Sequence, residues 1–226
     1  MNQQTPPSPR VRVRRHSERG HYEPEIIDSI LEEALICHVG VVVDGQPVVL
    51  PTIFGRIGDT LYLHGAVANR SLRAAIEGVC VTVTLIDGLV LARSTPMHSM
   101  NYRSVVVMGR GRTVTDLEER SRALRAIVEH AVPGRSEEVR GPSSSELTNI
   151  TVIALDLGEC SAKVRTGPPI DPEEDRSLPV WAGVVPMRQV AGTPAPDAPL
   201  PVGIVEAPPS VAALRRRFPG FTPPAR

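Results

Sequence analysis

The sequence predicts a mainly β protein, a small closed or nearly closed antiparallel barrel of about six to eight strands with two to three appended helices. Three observations support this predicted fold class. Short runs rich in Val, Ile and Leu alternate with turn residues. These runs lack the regular strand–helix–strand spacing of a parallel sheet. The chain has 226 residues, 41% of them apolar, which is enough for one substantial core.

The first predicted element is a helix over residues 24–35. Pro24 suits the first helical position, where a backbone N–H has no intrahelical partner. The apolar residues recur at helical spacing and form one stripe, which consists of Ile27, Ile30, Leu31, Ala34 and Leu35. The helix therefore presents one face to a core.

Three strands follow, over residues 38–43, 46–54 and 60–65. The turn residues Asp44-Gly45 and Gly58-Asp59 separate them. An Asp-Gly pair between β-branched runs is a strong hairpin signal. We therefore expect a three-stranded antiparallel meander.

A short helix and a second hairpin come next. Asn69 is a suitable N-cap for a helix over residues 71–77, which a glycine ends. Strands over residues 80–86 and 89–94, joined by a turn at Asp87-Gly88, are predicted to form the hairpin.

The remaining elements complete the barrel. The stretch 104–114 is a strand whose two glycines indicate a bulge or a bend. Thr115 and Glu118 have the spacing of a capping box for a further helix. One or two last strands are predicted within residues 149–166.

The two ends differ in composition from the middle. Residues 1–20 are rich in Pro and Arg, which predicts a flexible basic arm, either solvated or lying along its own domain. Residues 189–226 are so rich in proline that a disordered or extended tail is predicted, with one short docking turn in VAALRRRF. The folded domain is expected over residues 21–188.

Composition narrows the class of protein. The 25 basic and 25 acidic residues cancel, so no overall charge favours nucleic acid or an anionic membrane as a partner. The three cysteines are widely spaced and no Cys/His cluster indicates a metal site. No segment has the apolar length of a signal peptide or a membrane span, so a cytoplasmic protein is expected.

One polar stretch, residues 91–111, is unusual for a sheet protein. It carries an imidazole, a phenol, an amide and several guanidinium and hydroxyl groups just before an apolar strand. Such a set suits a polar, anionic or aromatic ligand, although a solvated loop is the alternative. His98, Asn101 and Tyr102 are the candidates for substrate contact or proton delivery.

A second candidate lies where the strand ending at His64-Gly65 meets the short helix. The free N–H groups at a helix start attract anions, and Arg70 and Ser71 add a charge and a hydroxyl. The alternative is that Asn69 only caps the helix and Arg70 is solvated. A Rossmann or P-loop glycine motif is absent.

A third candidate holds the only lysine and the only tryptophan. Strand alternation puts Lys163 and Arg165 on one face, where they repel each other unless an anion or carboxylates lie between them. Carboxylates of the same chain could lie between the two cations in place of an anionic ligand. The nearby acidic residues are Asp171, Glu173, Glu174 and Asp175. Trp181 would cover a flat ring or pin the tail to the barrel.

Four segments, taken in order, resemble the FMN-binding split-barrel superfamily of pyridoxamine 5'-phosphate oxidase-like proteins. They are HVGVVVDGQPVVLPTIFGRIGDTLYLHGAVANRSL, TLIDGLVLARS, HSMNYRSVVVMGRG and KVRTGPP followed by WAGVVP. The nearer match is the subgroup of nitroimidazole-resistance-type and flavin-nucleotide-binding proteins. The resemblance spans roughly residues 22–187.

The resemblance implies a Greek-key-like split barrel and a homodimer with FMN at the subunit interface. The isoalloxazine edge would contact Pro51, Thr52 and Ile53. The phosphate would be bound by residues of the strand-to-helix turn, which are His64, Gly65, Asn69, Arg70 and Ser71. Tyr102, Arg103 and Ser104 would reach the flavin or its phosphate from the side. Lys163, Arg165 and Trp181 would close the site, from the same subunit or from the second one.

The sequence therefore favours an FMN-dependent oxidoreductase that acts on a small molecule at flavin N5, with NADPH or NADH as a possible electron donor. True pyridoxamine-phosphate oxidases end with an Arg-x-His-type substrate motif that this chain lacks, so oxidation of that vitamin phosphate is not expected. The alternatives are a non-catalytic flavin carrier or sensor, a haem-binding or haem-degrading relative, and a deazaflavin-using relative. His38, His64 or His98 would supply a haem ligand.

Overall fold

The computed structural model describes residues 5–197 and 206–220, which contain eleven strands and six α-helices. The strands are β1 (Gly20–His21), β2 (Cys37–Val43), β3 (Gln46–Thr52), β4 (Gly55–Ile57), β5 (Thr60–Ala66), β6 (Val79–Leu91), β7 (Ser99–Gly109), β8 (Arg112–Thr113), β9 (Ile150–Asp156), β10 (Cys160–Arg165) and β11 (Gly183–Pro186). The α-helices are α1 (Pro24–Glu33), α2 (Arg70–Ala74), α3 (Leu117–Ala131), α4 (Arg135–Glu138), α5 (Ser144–Asn149) and α6 (Pro209–Arg217).

The strands form two antiparallel sheets. The larger sheet has the order β1-β10-β7-β6-β2-β3, with β11 also paired to β6, and the smaller has the order β4-β5-β9-β8. The two sheets are not joined into a closed cylinder. The predicted split barrel with appended helices is confirmed, and it has more strands and helices than were expected.

The predicted three-stranded meander is wrong, because the chain changes sheets between β3 and β4. The first hairpin is confirmed: β2 pairs with β3, and Asp44 and Gly45 have φ of 50° and 76° at the turn between them. β4 instead pairs with β5 in the smaller sheet. Phe54, at this crossing, has no exposed surface, so the sheet change is anchored in the core.

The predicted hairpin at Asp87-Gly88 is also wrong. β6 continues through this point and pairs with β7 on both sides of it, with a shift in register between Ile86 and Gly88. Asp87 is therefore a β-bulge residue. The next residue, Gly88, pairs with Pro186 and lies close to Val184 of β11. The long β6–β7 pair turns instead at residues 92–98.

Two glycines at the end of β7 allow the chain to pass closely over the smaller sheet. A Cβ added at Gly109 would lie 2.8 Å from Leu155 Cδ1, and one at Gly111 would lie 2.5 Å from Ile153 Cγ2. This confirms the predicted bend.

The core lies in two layers. Between the sheets, the inward residues of β2, β5, β6 and β7 pack with α1, and Leu61, Leu63 and Val81 are almost fully buried there. On the other side of the smaller sheet, Tyr62 and Ile127 pack between β5 and α3. The N-cap of α3 is Asp116, which accepts a hydrogen bond from Glu119 N, rather than the predicted Thr115.

At both chain ends the structure contains the docked alternative: the basic arm lies along its own domain, and the predicted docking turn in VAALRRRF is part of α6. Val11 is 4% exposed and β1 pairs with β10. In the C-terminal region, α6 is followed by the buried Phe218. Contacts with residues far away in the chain hold the N-terminal arm and α6 in place, and composition alone does not reveal such contacts. The rest of the predicted tail, residues 198–205 and 221–226, lies outside the described residues, and the boundaries at 21 and 188 stay predictions.

In the part of the chain that the structure describes, we find no helix with the length and apolar character needed to cross a membrane.

Candidate functional site

The residues predicted to contact a flavin ring lie at the end of β3, an edge strand of the larger sheet. Pro51 pairs with His38 and Thr52 pairs with Cys37 on β2. Ile53, just after the strand, is 41% exposed. Because Val39 and Val41 point into the core, His38 and its partner Pro51 face outward.

The residues predicted to bind phosphate are assembled at the end of β5 and the start of α2. The Asn69 side chain accepts hydrogen bonds from Ser71 N at 3.0 Å and Leu72 N at 3.2 Å. A Cβ at Gly65 would lie 3.0 Å from the Asn69 amide nitrogen and 2.9 Å from Leu72 Cδ1. A side chain at this position would require the Leu72 side chain or the Asn69 amide to shift.

Of the two interpretations of Asn69, the helix cap is the one the structure contains. The cap occupies two of the N–H groups that were expected to attract an anion. The Arg70 side chain is 62% exposed and pairs with Asp44 at the β2–β3 turn. The side chains here that an anion could contact are Ser71 and the exposed Arg70, which would exchange Asp44 for the anion.

His64 differs from the other predicted site histidines by its burial. Its Nδ1 atom is buried and has no hydrogen-bond partner among the described residues. Burial lowers the pKa of His64, because it disfavours the charged imidazolium. Burial therefore favours the neutral form of the ring.

The third group lies across β7 and β10. Tyr102 pairs with Arg165, and Ser104 pairs with Lys163. Val105 and Ala162 point into the core, so all four of these paired side chains belong to the outer face of the sheet. The prediction that Lys163 and Arg165 share a face is confirmed.

Arg165 is a buried cation, with 6% of its surface exposed. It donates hydrogen bonds to the Asn101 side chain and to the carbonyl oxygens of Gly167, at 3.4 Å, and Pro168, at 3.3 Å. No carboxylate of the described residues pairs with it. The acidic alternative is not found: Asp171 pairs with Arg93, and Glu173 pairs with Arg176.

Arg103 is occupied by carboxylates of its own chain, which was not anticipated. Its guanidinium donates to Asp87 at 2.7 Å and to Glu33 at 2.5 Å. These hydrogen bonds raise the pKa of Arg103. The arrangement ties α1 to the β6 bulge and engages the Arg103 guanidinium with two carboxylates of its own chain. The predicted cofactor contact by Arg103 stays a prediction.

The predicted catalytic residues are not brought into one hydrogen-bonded group. His98 is exposed and its Nδ1 lies 3.0 Å from Ser94 O, whereas the Asn101 amide donates to Gly167 O at 3.1 Å and holds Arg165. Trp181 is 66% exposed, and its ring lies against the backbone of Gly183 in β11. The roles of His98, Asn101, Tyr102 and Trp181 stay predictions.

Sequence reasoning missed the polar contacts that organise this region. Asp87 was interpreted as a turn residue, and Glu33 was assigned no role. Arg93 binds Asp171 through both its backbone N–H, at 2.9 Å, and its side chain, at 2.7 Å. No local signal marks these pairs, because their members lie far apart in the chain.

The comparisons with known proteins agree with this geometry. The sequence profile of the pyridoxamine 5'-phosphate oxidase family matches residues 23–164. The chain belongs to that family. No curated protein is similar in sequence.

Two solved structures resemble this family member along most of its length. The flavocytochrome Anf3 from Azotobacter vinelandii is 38% identical with a TM-score of 0.87, covering 93% of this chain and 98% of its own. The FAD and heme binding protein from Mycobacterium smegmatis is 34% identical with a TM-score of 0.82, covering 87% of this chain and 97% of its own. A 5-nitroimidazole antibiotic resistance protein from Bacteroides thetaiotaomicron is 28% identical with a TM-score of 0.54, covering 64% of this chain and 86% of its own.

Proposed function

We propose that this protein is a flavin-binding oxidoreductase that acts as a homodimer. The observation that carries the proposal is the likeness, over 93% of the chain, to a flavocytochrome. A bound flavin would exchange a hydride or single electrons with a small substrate at N5. The three unpaired cysteines suit a reducing compartment such as the cytoplasm.

The residues present fit the part that FMN and FAD share. The end of β3 offers an exposed apolar edge to a flat ring, at Pro51 and Ile53. Arg70 and Ser71 offer a charge and a hydroxyl to a phosphate. Arg165 supplies a buried positive charge without a carboxylate beside it, and such a charge is stabilised by an approaching anion. FMN itself stays a prediction, since one relative is described as binding FAD.

The homodimer is supported by apolar residues on the outer face of the larger sheet. Val42 and Val49, on β2 and β3, are 62% and 63% exposed. Leu89, Met100 and Val185 form a cross-strand row on β6, β7 and β11, and each is about two-fifths exposed. Exposed apolar area of this kind marks an interaction surface.

The direct test is the absorption spectrum of the purified protein, together with the mass of any chromophore released from it. We expect flavin bands and the mass of FMN or FAD. A colourless protein that also fails to bind added FMN and FAD would contradict the proposal.

Arg70→Ala should weaken flavin binding. Loss of one charge-assisted hydrogen bond to phosphate raises Kd by about 10- to 100-fold. Titration of flavin-free protein with FMN, followed by fluorescence quenching, measures the change. Arg73→Ala is the matched control, because Arg73 lies on the same helix and only donates to Ala68 O at 3.4 Å. Equal Kd values for the two variants would remove Arg70 from the phosphate site.

A second candidate function is haem binding in addition to flavin binding. The observation that favours it is that both relatives above 30% identity are described as a flavocytochrome or as a FAD and heme binding protein. Haem needs a neutral imidazole nitrogen. Among the histidines considered, His64 is the one for which burial lowers the pKa and so favours the neutral imidazole.

His64→Ala should therefore abolish the sharp Soret band that forms when haemin is added to the protein. His38→Ala and His98→Ala are the controls, since both residues are exposed and we expect them to keep the band. A Soret band that survives in the His64 variant, and is lost in one control, would assign the ligand to that control residue instead.

A further inference from the structure

The N-terminal segment is held in place along the barrel. We call residues 8–19 the N-terminal ledge. Val11 is buried, and the Val13 N–H donates to Tyr22 Oη at 2.8 Å. Lys163 Nζ donates to Arg15 O at 2.9 Å, and Ser8 donates to Glu159. These contacts use backbone atoms and small side chains, so the ledge is fixed without using its charges.

The arginine side chains of the ledge remain in solvent. Val11 and Val13 face the barrel while the residues between and beside them are exposed, and these are Arg10, Arg12, Arg14 and Arg15. Among the described residues, no carboxylate forms an ion pair with any of these four arginines. The one acidic residue of the ledge, Glu18, contacts His16 at 3.2 Å and Arg19 at 3.5 Å.

This concentration of charge is local. The whole chain has equal numbers of basic and acidic residues, and many of its other arginines are paired, as Arg103 is with Asp87 and Glu33. An ordered row of unpaired cations on a neutral protein therefore makes a directional positive field.

The ledge borders the β7–β10 part of the candidate site. It runs directly into β1, whose Gly20 pairs with Lys163 on β10. The outer face of β10 also carries Arg165, next to Tyr102 on β7. Positive charge thus continues from the ledge to the region proposed to hold the flavin.

We propose that the N-terminal ledge is the docking surface for an acidic one-electron carrier protein that reduces the bound flavin. The inference rests on the proposed function. Each carrier gives up one electron, so two docking events supply the pair that a flavin accepts, and the protons come from solvent. Charge complementarity favours such a protein partner, because it raises the rate of encounter and orients the two surfaces.

A protein partner fits better than a nucleic acid. Proteins that bind single strands combine a basic groove with aromatic side chains for base stacking. The ledge contains no Phe, Tyr or Trp.

The test uses the full-length protein and a plant-type [2Fe–2S] ferredoxin, an acidic carrier, as the probe. Calorimetric titration at low ionic strength should give a Kd about ten-fold higher for R12E/R14E than for the parent. R110E/R122E is the matched control, since both arginines are exposed and the change in net charge is the same. We expect its Kd to stay within about two-fold of the parent.

Equal weakening by both double variants would overturn the proposal, since net charge alone would explain it. No binding of ferredoxin by the parent would also overturn it. Tighter binding of a single-stranded oligonucleotide, dependent on the same two arginines, would overturn it in favour of a nucleic acid. The flavin content is measured on the same preparation: a protein that docks ferredoxin but neither contains nor binds FMN or FAD contradicts the proposed function and leaves the docking surface standing, whereas a flavin-containing protein that does not dock ferredoxin overturns the docking surface alone.

Discussion

Gly55→Ala is expected to lower the free energy of unfolding by about 3 kcal/mol, although it adds a single methyl group. A Cβ at this position would lie 2.5 Å from Ile127 N and 2.7 Å from the Ala126 carbonyl carbon. Both atoms belong to the backbone of α3, which cannot yield as a side chain can. The helix would have to move away from β4, which would loosen the core layer around Ile127. Urea denaturation measures the loss.

Gly78→Ala is the matched control for this variant. No atom lies within 4 Å of a Cβ built at Gly78, and its φ is not in the left-handed region. The substitution should leave stability within about 0.5 kcal/mol, or raise it slightly through the unfolded chain. If the two glycine variants were equally stable, α3 would not pack on β4 as closely as described.

Arg217→Ala should cost about 2 kcal/mol, because one side chain joins the ends of two helices. The Arg217 guanidinium donates to Glu32 O and His130 O, near the C-terminal ends of α1 and α3. Carbonyl groups in the last turn of a helix lack intrahelical partners. The guanidinium also lies 5.2 Å from the ring centre of Phe218, which is 8% exposed. Thermal and urea unfolding at fixed protein concentration measure the effect.

Arg216→Ala makes the same change in charge at the neighbouring, exposed position and should be neutral. A melting temperature for Arg217→Ala equal to that of this control would mean that α6 does not dock in solution. The extended conformation that composition predicts would then apply to residues 206–220.

Several elements could be predicted from the sequence because their signals are local. The stripe of Ile27, Ile30 and Leu31 produced α1, and these three residues are all buried. The Asp44-Gly45 pair adopts the positive φ that the first hairpin needs. Asn69 caps α2 as its side-chain chemistry suggests. In each case the pattern that decides the local structure lies within a few residues of the chain.

The same local signals failed where pairing partners decide the structure. Asp87-Gly88 has the composition of a turn, yet β7 and β11 on either side of β6 keep the strand continuous and convert the pair into a bulge. A proline-rich stretch also disfavours regular structure, yet Ser210 donates to Glu138 at 2.5 Å and helps to hold α6. A pattern in one segment carries no information about which distant segment will cover it.

The candidate site shows this division most clearly. Hydrophobic periodicity, turn chemistry and the family resemblance were sufficient for the split barrel and for the segments that would surround a flavin. They could not show that Arg103 is neutralised by Asp87 and Glu33 whereas Arg165 is buried without a carboxylate. The two arginines look alike in sequence. Burial and charge pairing separate them, and both depend on residues that lie far away along the chain and are brought together by folding.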